Sequence, residues 1–354
     1  MNNLDFELKD IIFDYAKNRL DTNDLNGDHF PLLQVKNLCK YFPIYSNSFI
    51  RKKVGFIKAV DNISFNLFLG KTLGLVGESG CGKTTVGRTI LRAINPDAGT
   101  VLFDLSNKYV DICKIPEKKL KPLRTKMQMI FQDPYSSLNP RMTVKEIVSE
   151  PLIIHGLAKG QELEDRVAGM LQKVGLRPEY MHRYPHAFSG GQRQRIGIAR
   201  ALIMHPSLVV CDEAVSALDV SVQAQVINLL QDLQKELGLT YIFISHNIGI
   251  VKHICDNIAV MYCGKIVELA KTEELFHNPM HPYTRLLLSS VPSPDPDIHL
   301  IPNEQSELPD ISNLPSGCSF FSRCPIHTND CSREEQNLIK INDDHYVACN
   351  ITTK

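Results

Sequence analysis

Net charge is the first thing this chain lacks: 39 Lys and Arg are balanced by 39 Asp and Glu. Such a balance gives no general attraction to nucleic acid or anionic lipid, so no nucleic-acid partner is expected. Long apolar runs are also missing, and no stretch approaches the ~20 residues that a spanning helix needs. The N-terminus has no basic stretch followed by an apolar core, so no secretory signal is read there. Ten cysteines in such a chain point to a reducing compartment and to uses other than disulfides. What is present is ordinary globular composition, 43% hydrophobic and 22% charged over 354 residues, enough for one large core or two domains.

The most informative stretch is LGLVGESGCGKTT, Leu73 to Thr85. It reads as an apolar strand, a glycine-rich loop and the start of a helix. Gly77, Glu78, Ser79, Gly80, Cys81, Gly82, Lys83 and Thr84 fit G-x-x-x-x-G-K-[ST] at every fixed position. The glycines let the backbone wrap closely, so that its N–H groups form an anion nest facing the positive end of the helix. Lys83 supplies a point charge for β and γ phosphates, and Thr84 offers a hydroxyl to Mg²⁺. A chance glycine turn is the bland alternative, and the strand–loop–helix setting disfavours it. Nucleotide contacts are therefore assigned to Gly77 through Thr85. At a helix N-terminus inside this nest, the Cys81 thiol is expected to ionise easily and to react with thiol reagents, with ATP protecting it.

A second signal is LVVCDE, Leu208 to Glu213. A buried strand ending in a carboxylate is where a phosphate-loop fold holds Mg²⁺, which makes Asp212 the candidate ligand. Glu213 beside it is placed to polarise a water against the γ-phosphate.

Around these signals the chain divides in order. Residues 1–30 are an acidic extension, with Leu4, Leu8, Ile11, Ile12 and Tyr15 at the spacing of a short amphipathic helix. Residues 31–290 carry the main domain. It opens with strands in LLQVKNL and KAVDNISFNLFLG, joined by a hairpin excursion, FPIYSNSFIRKKVG, whose Arg51, Lys52 and Lys53 read as a solvated loop. The phosphate-loop helix spans 82–94, strands follow in NPDAGTVLFD and KMQMIFQ, and a helical insert occupies about 133–190 with helices at 143–156 and 161–175. SGGQRQRIGIARALIMH begins on an N-cap serine. Then come a strand at 208–211, a helix at 220–237, a strand at 240–245 and a hairpin at 257–269 around Cys263-Gly264. Strands alternating with helices argue for a mainly parallel α/β sheet. Six prolines mark 291–315 as an extended linker, and 316–354 form a small cysteine-bearing segment.

In that segment Cys318, Cys324, Cys331 and Cys349 are spaced C-x5-C-x6-C-x17-C. Four thiols after a linker suggest a metal site tying down a segment too small for its own core. The spacing leaves zinc, iron–sulfur and free thiols open. The cysteines at 39, 113, 211, 255 and 263 read as buried small hydrophobes.

With the phosphate loop and LVVCDE in hand, FSGGQRQR (Phe188 to Arg195) makes the chain resemble the ATPase subunits of ABC transporters, with Phe188 where leucine is commoner. The resemblance implies a P-loop ATPase cassette with a parallel-sheet core, an antiparallel β subdomain and a helical subdomain. It implies that Ser189, Gly190, Gly191 and Gln192 act on a nucleotide held by another subunit, in a head-to-tail sandwich of two ATPases with two ATPs. It makes Gln132 the glutamine that senses Mg²⁺ and the attacking water, Ser216 to Asp219 the loop that crosses between subunits, and His246 the switch histidine at the γ-phosphate. Asn247 stands where aspartate is usual. Phe42 is the aromatic expected on adenine, with Tyr41 as the alternative.

A finer resemblance rests on FQDPYSSLNPRMTV, RYPHAFSGGQRQR, VSALDVSVQAQVINLL and NPMHPYTRLLLSSVP. These are similar to the ATPase subunits of oligopeptide and dipeptide importers, of OppF/DppF type rather than OppD/DppD type, with Ala214 where many relatives have proline. The resemblance implies ATP and Mg²⁺ as cofactors, a homologous second ATPase as heterodimer partner, two transmembrane permease subunits, and a peptide-binding protein beyond them. Asp133 to Met142 would face a permease helix, on the cytoplasmic side of a bacterial plasma membrane. It also implies a [4Fe–4S] cluster on the four C-terminal cysteines. Two other functions are weighed against peptide import. One is import of another small solute such as nickel, which this chain does not discriminate. The other is a non-transport ABC ATPase, disfavoured by the zero net charge, the single set of motifs and the lack of a heptad run.

Overall fold

The computed structural model describes residues 30–46, 52–105, 108–289 and 314–352, together with the backbone of Ile12–Phe13. The rest of the expected N-terminal helix, the hairpin tip and most of the proline-rich linker lie outside these residues. In chain order the strands are β1 (Ile12–Phe13), β2 (Pro31–Tyr45), β3 (Lys53–Phe68), β4 (Thr72–Val76), β5 (Ala98–Asp104), β6 (Tyr109–Asp111), β7 (Met127–Ile130), β8 (Leu208–Asp212), β9 (Thr240–Ser245), β10 (Asn257–Tyr262), β11 (Lys265–Lys271), β12 (Ile339–Asn342) and β13 (His345–Val347). The helices are α1 (Lys83–Ile90), α2 (Glu117–Leu123), α3 (Val144–His155), α4 (Gly160–Lys173), α5 (Gly190–Leu202), α6 (Val220–Leu237), α7 (Ile248–Ile254), α8 (Thr272–His277) and α9 (Pro282–Ser289).

Two units emerge: Met1–Leu33, Leu67–Thr72 and Leu102–Ile244 form one, and Gln34–Asn66, Leu73–Val101 and Ser245–Lys354 form the other. In the first unit β7, β8 and β9 run parallel, with Met127 opposite Leu208 and Leu208 opposite Thr240. Every residue of β8 and β9 is buried. Strands covered on both faces read as continuous apolar runs, which is why LVV and YIFI do not alternate. The helical insert carries α3 and α4, α5 follows it, and the three pack on one another. Local chemistry sets the ends of these helices. Thr143 and Glu146 make a reciprocal capping box at the start of α3, and Gly156 closes it in the left-handed region. Asp219 caps α6 and Gly238 ends it in the same way. Ile12–Phe13 depart from the expected helix: they pair antiparallel with Tyr109 and Val110. β6 is short, and its edge satisfies backbone groups by taking this second strand.

In the second unit, β2 lies between β5 and β3. β2 and β3 run to 15 and 16 residues, longer than their apolar patterns suggest. Backbone pairing carries the hairpin outward past the core, and Ser46 N–H still donates to the Lys52 carbonyl at 2.8 Å. β4 is wholly buried and pairs in parallel with β10, which pairs antiparallel with β11. β11 then takes β13, with Glu268 opposite Val347, and β13 takes β12. The cysteine segment therefore has no need of a core of its own, because it extends the sheet of this unit. The join is polar and buried. His345 Nε2 lies 2.7 Å from Glu268 Oε1, and the same carboxylate accepts from Met280 N–H at 2.8 Å and His281 N–H at 3.0 Å. Glu268 and His345 have no exposed side-chain surface, so their polar atoms rely on protein partners, which for His345 include Glu274 Oε1 at 3.4 Å from Nδ1.

Candidate active site

The phosphate loop leaves β4 at Gly77 and enters α1 at Lys83, in the second unit. Gly82 caps the helix at φ 107, and a Cβ there would stand 1.9 Å from the Ala59 carbonyl oxygen. Only glycine combines that backbone with that approach. Lys83 is 4% exposed, and its Nζ donates to the carbonyls of Gly77 and Glu78, each at 2.8 Å. The ammonium is thus held over the loop by backbone dipoles. Thr84 and Thr85 follow in the first turn of α1, half-buried, while Ser79 and Gly80 are exposed at the crest. Behind the loop, Gly264 in the β10–β11 turn donates its N–H to the Cys81 carbonyl at 2.9 Å and accepts from Asp61 N–H at 2.9 Å.

Cys81 departs from the expectation. Burial pushes its thiol above the ordinary cysteine range, and the Lys83 charge and hydrogen bonds pull it back only in part. The helix terminus does not overcome the loss of solvent around a side chain that is 6% exposed. Cys39, Cys211, Cys255 and Cys263 are buried as expected, and Cys113 is half-buried.

Glu78, which the motif leaves unspecified, is anchored at every polar group. Its N–H donates to the Tyr283 hydroxyl at 2.9 Å, and its carbonyl accepts from Lys83. Its two carboxylate oxygens each take a donor from the Arg323 guanidinium at 2.9 Å. Sequence reading did not single out Tyr283 or Arg323. They lie 205 and 245 residues downstream of Glu78, and only the fold brings them to it.

Of the two aromatics read for adenine, Tyr41 is committed: its hydroxyl donates to Asp61 Oδ1 at 2.7 Å, and its N–H donates to Asp97 Oδ2 at 2.6 Å. Phe42 is 37% exposed, with the Lys40 ammonium 5.5 Å from its ring centre. His246 is exposed at the end of β9. Asn247 caps α7 through Oδ1, which accepts from Gly249 and Ile250 N–H. A carboxamide oxygen does this as well as a carboxylate, so the departure from aspartate costs no cap.

The first unit carries the other predicted residues. Asp212 ends β8 and is 2% exposed. Glu213 follows with φ 45, an uncommon left-handed conformation for this residue. Its N–H donates to the Ile244 carbonyl at 3.0 Å, and its carbonyl accepts from Ser216 Oγ at 3.0 Å. Gln132 Nε2 donates to Glu213 Oε2 at 2.7 Å, so two residues 81 apart are brought into contact. Asp219 is held below the usual carboxylate range by hydrogen bonds from Ser221 and Val222.

Ser189 begins α5 with a capping box: its Oγ accepts from Gln192 N–H at 3.4 Å, and its own N–H donates to Gln192 Oε1 at 3.1 Å. Gly190 and Gly191 form the first turn, and a Cβ on Gly191 would lie 2.5 Å from Val222 Cγ1. Phe188 is buried edge-on against Tyr180, 5.6 Å between ring centres. The aromatic ring therefore fills an apolar site where leucine is commoner.

Cys318, Cys324, Cys331 and Cys349 line one small cavity with His281, Phe320 and His327. Burial pushes the Cys318 thiol up to about 11, and the neighbouring thiols add to the effect. Among the described residues, no group of three or more His, Cys, Asp or Glu side chains is arranged to hold a metal ion. A tetrahedral zinc needs its thiolates about 2.3 Å from one point, so the shared cavity fits soft ligation by donor type but not a single-ion centre. No helix among the described residues is long and apolar enough to cross a membrane.

Comparison with known proteins identifies the family. Residues 60–216 match the ABC transporter family, and residues 267–331 match the oligopeptide/dipeptide transporter C-terminal region. The oligopeptide transport ATP-binding protein AppF of Bacillus subtilis is 49% identical over 324 residues, covering 90% of this chain and 97% of that protein. Among solved structures, cbiO1 from Clostridium perfringens, part of the cbiONQ ABC transporter complex, superposes with TM-score 0.59 at 29% identity over 70% of this chain and 91% of that one. The ATP-binding cassette MJ0796, a dimer in a post-hydrolysis state with ADP and Pi, gives 0.58 at 28% identity over 68% and 98%.

Proposed function

Because this chain belongs to the ABC transporter family, among its oligopeptide and dipeptide transport ATP-binding proteins, we propose that it hydrolyses ATP to power the uptake of short peptides through an ABC importer. The observation that carries this reading is the phosphate loop, with buried Lys83 held over it by two carbonyls. When ATP arrives, Lys83 exchanges those carbonyls for β and γ phosphate oxygens, and the loop N–H groups from Gly77 to Thr85 complete the nest. Phe42 stacks on adenine, since Tyr41 is engaged elsewhere. Mg²⁺ would be held by Thr84, Asp212 and Gln132, a hydroxyl, carboxylate and carboxamide set whose hard oxygens suit that ion. Bound there, it would neutralise charge on the β and γ phosphates.

Glu213 is the general base. It takes a proton from the water that attacks the γ-phosphorus, the bond to the bridging oxygen breaks, and ADP and inorganic phosphate leave. An ionised carboxylate only accepts hydrogen bonds, so the amide nitrogen of Gln132 faces Glu213 and its oxygen is assigned to Mg²⁺. His246 steadies the γ-phosphate. Ser189, Gly190, Gly191, Gln192 and Asp219 act on the nucleotide of a second ATPase of OppD/DppD type. Closing that pair drives two permease subunits, fed by a peptide-binding protein, from the cytoplasmic face of the bacterial plasma membrane. The ATPase domain occupies 31–290.

The four C-terminal cysteines would hold a [4Fe–4S] cluster through their thiolates. What supports this reading is that the four cysteines line one cavity. The cluster would supply a rigid crosslink of the segment. Anaerobically purified protein should be brown and contain iron, whereas colourless protein with four titratable thiols would remove the cluster from the account. The cargo is tested by purifying the complete importer and identifying what its binding protein retains. Short peptides are expected, and a bound metal chelate in their place would overturn peptide import.

A further inference from the structure

Phosphate loops recruit anions, so an acidic side chain in the loop is a liability unless its charge is answered. Glu78 is such a side chain, and its answer comes from the segment that follows the proline-rich linker. The guanidinium of Arg323 meets both carboxylate oxygens at 2.9 Å in the paired-fork geometry. The Arg323 side chain is 11% exposed and that of Glu78 27%, so the pair is shielded from solvent more than a surface ion pair is. Arg323 is itself fixed. Its NH1 also reaches the Tyr262 hydroxyl at 3.4 Å, and its guanidinium lies 5.8 Å from the Tyr262 ring centre and 5.7 Å from that of Phe320. Phe320 packs edge-on against Tyr262 at 5.2 Å and tilted against Tyr283 at 5.4 Å. Tyr283 is the residue whose hydroxyl takes the Glu78 N–H.

We propose that Arg323 is a positioning residue for nucleotide binding, fixing Glu78 and cancelling its charge, so that ATP affinity depends on the docked C-terminal segment. The backbone carries the effect. The Glu78 carbonyl is one of the two that hold Lys83, and it also accepts from Cys81 N–H at 3.3 Å. With the carboxylate released, the loop keeps a negative charge beside the phosphates and loses one of its fixed points. Arg323 acts through Glu78, whose carboxylate it holds. Its role is therefore in affinity for ATP, with little effect on turnover at saturation.

This inference rests on the loop being the ATP site, and the test separates the two. ATP affinity of the full-length chain is measured by equilibrium dialysis. Lys83→Ala should abolish binding, and binding at the parent level would refute the site itself. Arg323→Ala should bind on the order of tenfold more weakly, the scale of a hydrogen-bonded charge, with the ATPase defect appearing in KM and little in kcat. Adding Glu78→Gln to Arg323→Ala should recover most of the affinity, because the unanswered charge is then gone. A role confined to docking the segment predicts no such rescue. Parent-like affinity in Arg323→Ala, or a loss that Glu78→Gln leaves unchanged, would overturn the proposal. If Arg323→Ala does not yield folded protein, Arg323→Lys decides. It keeps the charge but loses the fork and should bind several-fold more weakly, while parent-like affinity would again overturn the proposal.

Discussion

Replacing Gly82 with alanine tests whether the loop binds ATP through the backbone shape seen here. At φ 107, an alanine pays a conformational cost of about 1–2 kcal/mol. The larger effect is steric. Its Cβ would lie 1.9 Å from the Ala59 oxygen, where Cβ contacts essentially never fall below 3.0 Å, so β3 or the loop must shift by roughly 1 Å. Misplacement of about 1 Å at a site built on geometry costs on the order of a hundredfold. Gly80 is the matched control: it also has positive φ, 81, but a Cβ there meets nothing within 4 Å. Gly80→Ala should lose about tenfold, corresponding to about 1–2 kcal/mol of backbone strain. Equilibrium dialysis with labelled ATP reads both variants, and thermal unfolding checks that both are folded. Equal losses in the two, or parent-like binding by Gly82→Ala, would refute the reasoning.

Thiol chemistry gives a second prediction. With its thiol raised by burial, Cys81 should react far more slowly than a free cysteine at pH 7. The rate should rise through alkaline pH as the thiolate forms, and ATP should slow it further; rapid labelling at neutral pH would contradict the burial. A third concerns the join of the C-terminal segment. Glu268→Ala leaves His345 and two backbone N–H groups without the acceptor they share, which should cost about 3 kcal/mol. Chemical unfolding measures it, and a change under 1 kcal/mol would mean that water or a neighbour replaces the carboxylate.

Much of this was legible in the chain because the relevant signals are local. The apolar runs that form β8 and β9 and the capping Ser189 each act within a few residues of themselves, and the helix bounds read at 143–156 and 220–237 fall at the caps the fold uses, Thr143 with Gly156 and Asp219 with Gly238. The length of β2 and β3 was not legible, since polar residues extend that ladder by backbone pairing. Nor was the strand at Ile12–Phe13, where a neighbouring edge overrides helical spacing. The direction of the shift at the Cys81 thiol turned on burial, which a motif does not report. Arg323 and Tyr283 show the limit most clearly: each is unremarkable in its own stretch, and its meaning comes from a partner more than 200 residues away. The Gln132–Glu213 contact lies between these cases, with both residues picked out by motif and only their 2.7 Å hydrogen bond supplied by the fold.

That contact is also where the central claim is most exposed. Glu213→Gln keeps the size of the side chain and removes its basicity, so hydrolysis should fall by about 10²–10⁴-fold while ATP still binds. In vesicles carrying the permease subunits, the second ATPase and the binding protein, this variant should hold ATP and accumulate no labelled peptide. Hydrolysis and peptide uptake at the parent's rate would contradict the account.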